Sequence, residues 1–335
     1  MPRKSRIDAS GALHHIIVRG IERRKIFLDN ADRNNFIDRV GGIVAETNTT
    51  CYAWALIPNH AHLLLRTGQV PAATVMRRLL TGHAGYFNKR HRRSGHLFQN
   101  RYKSILCQED SYLLELVRYI HLNPLRAKIV QDVKELKTYP FCGHSALMGE
   151  IERDWQEIDR VLKMFGQRVS DARRRYQLFV KRGISVGRRE DLTGGGLIRS
   201  MGGWQAVKTM RRNKVFEKSD ERILGNGIFV EQVLSKAKEQ MERKHRLKSK
   251  GFDLEMIADR VGSVMEIDAS EIWKSGKLKD RVAARSLFCF WAVRELGVSM
   301  TEVSRRLKLS LSGVSQSVIR GEKIAEANGF ELLEE

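Results

Sequence analysis

Two runs of residues, Cys51 to Ile57 and His60 to Arg66, flank the dipeptide Pro58-Asn59. Both runs are largely aromatic, branched or small apolar residues, and the dipeptide is turn chemistry. They read as two short strands joined by a tight turn. Strands this close in sequence pair antiparallel, so the fold has to grow around that pair. Side chains alternate between the two faces of a strand. His60 and His62 therefore share one face, and Ala61 lies on the other.

The flanking segments alternate between the two periods. Leu13 to Gly20 reads as a strand ending at a basic turn with Arg19, Arg23 and Arg24. Asn30 or Asp32 is expected to cap a helix carrying Phe36, Val40, Ile43 and Val44 at helical spacing, and Asn48-Thr49-Thr50 ends it. A second helix is expected from about Pro71 to Lys89, with Val75, Leu79, Leu80, His83 and Phe87 inward. His91 to Gly95 is a basic loop. Leu97 to Cys107 reads as a strand region with Arg101 and Lys103 on one face, and Asp110 or Ser111 opens a helix through about Arg126. This order predicts an α+β fold: a ferredoxin-like or RNA-recognition-like antiparallel sheet with helices on one face.

Beyond Tyr139-Pro140 the pattern turns helical, over Trp155 to Phe165 and over Ala172 to Arg182. Gly194-Gly195-Gly196 and Gly202-Gly203 lack the Gly-Lys-Ser/Thr ending of a phosphate loop and read as turn or flexible glycines. Lys236 to Lys250 is a charged helix or tether. A separate helical unit follows from Leu254 to Ala325, with Leu278 to Leu296 as its buried helix. Within it, Ser299 to Leu307 opens with a capping signature, Ser299 and Glu302. Lys308-Leu309-Ser310 breaks it, and Leu311 to Arg320 resumes with Ser312, Ser315, Gln316 and Arg320. Two short helices across a three-residue turn describe a helix-turn-helix, with those four residues placed to meet DNA. An ordinary helical hairpin gives the same pattern.

Three regions are therefore expected: 1–145, the α+β domain; 146–250, a helical, basic connecting region; and 251–335, the helix-turn-helix domain. With 42% hydrophobic residues the chain has ample material for cores. Lys and Arg total 60 against 39 Asp and Glu, a formal charge of +21. Such an excess suits a polyanion, because each neutralised phosphate releases counterions. Membrane surfaces attract cations too, yet no apolar run approaches the roughly 20 residues of a membrane span. The N-terminal Met-Pro-Arg-Lys-Ser-Arg lacks the apolar core of a signal peptide. Cys51, Cys107, Cys142 and Cys289 have neither Cys-x-x-Cys nor zinc spacing, and read as thiols of a reducing cytoplasm.

Between Tyr112 and Pro124, Leu113, Val117 and Ile120 make an apolar helical stripe. Tyr119 and Asn123, four apart, sit about 40° from each other around the axis beside it. Pro124 limits regular helical bonding near Asn123. Tyr112, seven residues before Tyr119, falls on nearly the same line and competes for any role given to it.

Together, His60-Ala61-His62 and the run Arg118-Tyr119-Ile120-His121-Leu122-Asn123-Pro124-Leu125-Arg126-Ala127 resemble the HUH single-strand transposases, in which U is a bulky or apolar residue. Val18-Arg19-Gly20 with Arg24, and Leu97 to Ser104, narrow the resemblance to the REP-associated tyrosine transposases over Gly11 to Ser145. Ala61 is smaller than the usual middle residue. The resemblance implies that Tyr119 is the nucleophile and that His60 and His62 ligate Mg²⁺ or Mn²⁺. It puts the third ligand one turn after the tyrosine, where this chain has the neutral amide of Asn123 in place of a carboxylate. Arg19, Arg23, Arg24, Arg101 and Lys103 are expected to meet phosphates. His14, His15, His83 and His91 acquire no role, and His121 reads as structural or surface.

The implied reaction is attack by a tyrosine, whose free pKa is about 10, leaving a 5′-phosphotyrosine link and a free 3′-hydroxyl. That link conserves the phosphodiester energy, so rejoining needs no nucleotide cofactor. The implied partner is single-stranded or hairpin DNA, with duplex DNA reached through the C-terminal region, no membrane, and a monomer or homodimer. The C-terminal unit is similar to the DNA-binding domain of bacterial replication initiators, on Val282-Ala283-Ala284-Arg285 and the two short helices. Two rivals remain: a relaxase or rolling-circle nicking enzyme, and a non-catalytic DNA-binding regulator.

Overall fold

The computed structural model describes residues 7, 11–68, 70–187, 192, 220–276 and 278–333. The chain divides into two units, Met1–Gln232 and Val233–Glu335. The first runs β1 (Leu13–Arg19), α1 (Asn30–Glu46), β2 (Thr50–Ile57), β3 (His60–Arg66), α2 (Ala72–Arg90), β4 (Lys103–Cys107) and α3 (Glu109–His121). Short helices follow: α4 (Asn123–Arg126), α5 (Val133–Thr138), α6 (His144–Met148) and α7 (Asp159–Lys163). The longer α8 (Val169–Arg182) and a two-residue strand β5 (Ile223–Leu224) complete it.

The sheet order is β2-β3-β1-β4-β5. Its first four strands are antiparallel in the split βαβ order, so the α+β class expected from the sequence stands. Two details differ. The fifth strand pairs parallel to β4, Leu106 opposite Ile223 and Cys107 opposite Leu224. Helices also cover both faces rather than one. Leu13, Ala53, Ala55, Leu64 and Ile105 form a single buried cluster with Leu113, Leu116, Val117 and Ile120 of α3. The alternate residues Ile16, Val18, Trp54, Leu56 and Leu63 are buried as well, and α1, paired with α2, packs on β2. Strands buried on both sides read as near-continuous apolar runs, which is what Leu13 to Val18 and Ala61 to Leu65 are.

Local chemistry sets the ends of these elements. Asp29, not Asn30 or Asp32, caps α1 by accepting the Asp32 N–H at 3.1 Å. Asp32 instead turns inward, fully buried, and accepts from the Leu28 N–H at 2.8 Å and from Arg90 at 2.7 Å. The strand region expected from Leu97 shortens to Lys103–Cys107; before it only Phe98 bridges Gly20, and Asn100 turns the chain at φ 59°. The helix expected to run to Arg126 breaks at Leu122, so Asn123 opens α4 ahead of Pro124.

Residues beyond 145 join the first core: Val161, Leu162, Ala172, Tyr176 and Val180 belong to the α3 cluster. The Tyr176 hydroxyl sits 2.6 Å from His121 Nδ1 and 3.0 Å from His144 Nδ1, all three residues fully buried. His121 is thus structural.

The second unit contains most of α9 (Gly227–Ser249), then α10 (Leu254–Met265) and α11 (Lys279–Phe290), which continues as π-helical turns over Trp291–Leu296. α12 (Met300–Leu307) and α13 (Leu311–Asn328) follow. Ser299 caps α12 through the Glu302 N–H at 3.1 Å, and Ser310 caps α13 through the Gly313 N–H at 3.0 Å. Lys308, at φ 53°, makes the turn between them. The second helix of the pair is longer than the sequence pattern marks, ending at Gly329. Its core gathers Leu287, Phe288, Trp291, Val303, Val314 and Val318. Gly194-Gly195-Gly196, Gly202-Gly203 and the basic Met1-to-Arg6 stretch lie outside the described residues, as do the side chains of 238–245 and 248 within the Lys236-to-Lys250 segment. Among the described residues no helix is long and apolar enough to cross a membrane.

Candidate active site

The β1–β3 register builds the site. Arg19 lies opposite His60, Ile17 opposite His62 and His15 opposite Leu64, so one sheet face presents Arg19, His60, His62 and His15 together. On the next strand Lys103 stands opposite Ile17 and shares that face. Its place as the first residue of β3 leaves His60 half-buried, whereas His62 is buried. Their rings lie 5.1 Å apart.

Each ring is held from behind. His60 Nδ1 donates to Asn59 Oδ1 at 2.7 Å, because an amide oxygen only accepts. His62 Nδ1 meets His15 Nε2 at 3.1 Å. Burial first, and then the charge of Arg19, pushes the His60 imidazole down to about 4. Burial, His15 and His60 hold His62 well below the usual histidine range. Both rings are therefore neutral near pH 7, the form in which imidazole ligates a cation. With Nδ1 engaged, Nε2 is the nitrogen each has left to offer.

Tyr119 comes to this face from α3. Its ring is edge-on to His62 at 6.1 Å and to His15 at 5.9 Å. The Arg126 guanidinium lies 5.0 Å from the centre of the same ring, and Arg126 Nη1 donates to the Tyr119 carbonyl at 3.2 Å. Tyr112, two turns earlier, packs against the buried cluster under α3. Asn123 is 9% exposed, and its buried Nδ2 has no hydrogen-bond partner among the described residues. An orphaned buried amide N–H costs about 1–3 kcal/mol. As a donor it suits an acceptor such as a phosphate oxygen, and only the oxygen of this side chain could face a cation. No cluster of three or more His, Cys, Asp and Glu among the described residues is arranged to share a cation.

The remaining sequence candidates spread outward. Arg23 and Arg24 are exposed on the turn after β1, where Glu22 and Arg23 take φ of 52° and 60° and Arg24 pairs with Glu22 at 2.9 Å. Arg101 is exposed in the loop before β4. On α13, Ser312, Gln316 and Arg320 are exposed and Ser315 partly so, while Val314, Ser317 and Val318 face inward. At about 100° per residue Ser312, Ser315 and Gln316 form one outer stripe.

Two residues at the site had no role in the sequence reading. His15 shares the parity of Arg19 in β1, which was its only signal. Arg126 lies seven after Tyr119, the spacing that returns to the same helical line, although a break intervenes.

A sheet face with paired histidines, met by a tyrosine from a covering helix, belongs to a recognisable class. Residues 9–123 match the family model described as "Transposase IS200 like". Among solved structures, the chain is similar to "Structure of the REP associates tyrosine transposase bound to a REP hairpin" at a TM-score of 0.38 and 15% identity, over 47% of this chain and 98% of that one. No curated protein matches.

Proposed function

We propose that this transposase cleaves and rejoins single-stranded or hairpin DNA of the REP type through a 5′-phosphotyrosine link to Tyr119. The observation that carries the reading is the convergence of Tyr119 on the His60–His62 face, its ring edge-on to His62. His60, His62 and Asn123 would hold Mg²⁺ or Mn²⁺. Such a cation polarises a phosphate oxygen and offsets charge on the departing group.

Tyr119 Oη attacks phosphorus, forming an O–P bond as the bond to the 3′-oxygen breaks. The phenolic proton passes to solvent and the leaving oxygen takes one up. Arg126 sets positive charge against the ring that carries the negative charge of the attacking phenolate. Arg19 and Lys103, on the same face, together with Arg23, Arg24 and Arg101, hold the strand by its phosphates. Rejoining is the same step reversed, with another 3′-hydroxyl as nucleophile. Cleavage is assigned to residues 1–145. Duplex binding is assigned to 251–335, through Ser312, Ser315, Gln316 and Arg320. The protein works in the cytoplasm, as a monomer or homodimer.

The test is incubation of labelled hairpin oligonucleotides with Mg²⁺ or Mn²⁺. Wild type and Tyr112→Phe should yield a protein–DNA adduct that survives denaturation, and Tyr119→Phe should yield none. An adduct lost in Tyr112→Phe and kept in Tyr119→Phe would move the nucleophile. Duplex binding with no cleavage of any hairpin would favour a regulator.

A further inference from the structure

We propose that His15 is a positioning residue of this site, fixing the tautomer and orientation of His62 and bracing the ring of Tyr119. The inference rests on the reading of His62 as a cation ligand. His15 is fully buried, and its side chain touches both partners at once. Its Nε2 lies 3.1 Å from His62 Nδ1, the two rings stack at 5.3 Å with 24° between planes, and Tyr119 is edge-on at 5.9 Å.

One hydrogen bond between two imidazole nitrogens carries one proton, so its direction decides which nitrogen of His62 keeps a lone pair. If His62 donates from Nδ1 to His15 Nε2, then His62 Nε2 is the free base that a cation needs. A bond to the rear nitrogen of a ligating histidine fixes its tautomer and ring plane, and losing it typically weakens metal binding about 10–100-fold. His60 obtains the same service from Asn59 at 2.7 Å. For His62 the provider is a third histidine that also meets the nucleophile. This explains why one of two adjacent histidines is spent here: His14, of opposite parity, faces the other side of the sheet and bonds Ser104 Oγ at 3.1 Å.

The experiment measures Mn²⁺ affinity of the full chain by titration calorimetry, with folding checked by circular dichroism. The variants are His15→Phe, His15→Gln, His14→Asn and His60→Ala/His62→Ala. Phenylalanine keeps the ring stack and removes the acceptor, whereas glutamine sets an amide oxygen where Nε2 stood. We expect about 10–100-fold weaker binding in His15→Phe, most of it restored in His15→Gln, and wild-type affinity in His14→Asn. Adduct formation at saturating Mn²⁺ should still be slower in His15→Phe, because His62 is no longer fixed even though Tyr119 keeps its ring neighbour. Wild-type affinity in His15→Phe, with affinity lost in His60→Ala/His62→Ala, overturns the role of His15 and leaves the ligand reading intact. Equal affinity in wild type and His60→Ala/His62→Ala overturns both. Should His15→Phe not fold, His15→Gln against His15→Asn decides: the shorter amide does not reach His62, and equal affinity in the two refutes the proposal.

Discussion

Replacing Tyr176 with phenylalanine removes one oxygen atom and strands two imidazoles. The hydroxyl lies 2.6 Å from His121 Nδ1 and 3.0 Å from His144 Nδ1, donating to one ring and accepting from the other. His121, His144 and Tyr176 are each fully buried, so water cannot take over. The substitution leaves one buried N–H and one buried lone pair unmet, at about 1–3 kcal/mol each, for a loss of about 2–6 kcal/mol. Phenylalanine refills the ring site, so almost no cavity term adds to this. Urea unfolding of the first unit can be followed through Trp54 and Trp155, whose rings lie 5.5 Å apart. With a slope of about 2–3 kcal/mol per molar, the midpoint should fall by about 1–3 M. A change below about 0.2 M would refute the reasoning, showing that the two histidines find other partners once the hydroxyl is gone.

The same histidines set the response to acid. His144 is held down to about 4 and His121 well below its ordinary value, in both cases by burial. The unfolded chain therefore binds more protons than the folded one below about pH 6.5, so stability is level above that value and falls as pH drops towards 4. Melting temperatures at pH 7.5, 6 and 5 should show a flat upper limb and a steep lower one; a flat profile down to pH 5 would contradict neutral, buried histidines. In the second unit, a methyl group on Gly321 would meet the Ser286 carbonyl of α11 at 1.9 Å. Gly321→Ala should then destabilise that unit by about 1–3 kcal/mol or more despite alanine's better helix propensity, read from the Trp273 and Trp291 fluorescence transition. A stabilised variant would show that α11 and α13 do not cross this closely.

Most strand and helix positions were legible, because short apolar runs alternate with stretches of helical spacing from Leu13 to His121. What the sequence could not give were choices made by distant partners. Asp29 and Asp32 are equivalent caps on propensity, and Arg90 and His91, some sixty residues on, draw Asp32 inward. The strand β5 is two residues long and carries no periodic signal. The second helical cover was readable in the unalternating apolar runs of β1 and β3, yet the order of elements was read as a one-sided sheet. At the site, His60, His62 and Tyr119 were visible as motif residues. His15 was not, since strand parity names a face but not which strand lies beside it; only the β1–β3 register brings it to His62.

The central claim is a covalent bond between Tyr119 and DNA, and the most direct measurement is mass spectrometry of the peptide carrying it. Wild-type protein would be reacted with hairpin DNA and Mn²⁺, digested with nuclease and protease, and the residue bearing the nucleotide phosphate identified by fragmentation. We expect the modification on Tyr119 alone, absent when the cation is removed. A phosphate on Tyr112 or any other residue, or free 5′-phosphate ends without any attached peptide, would contradict it.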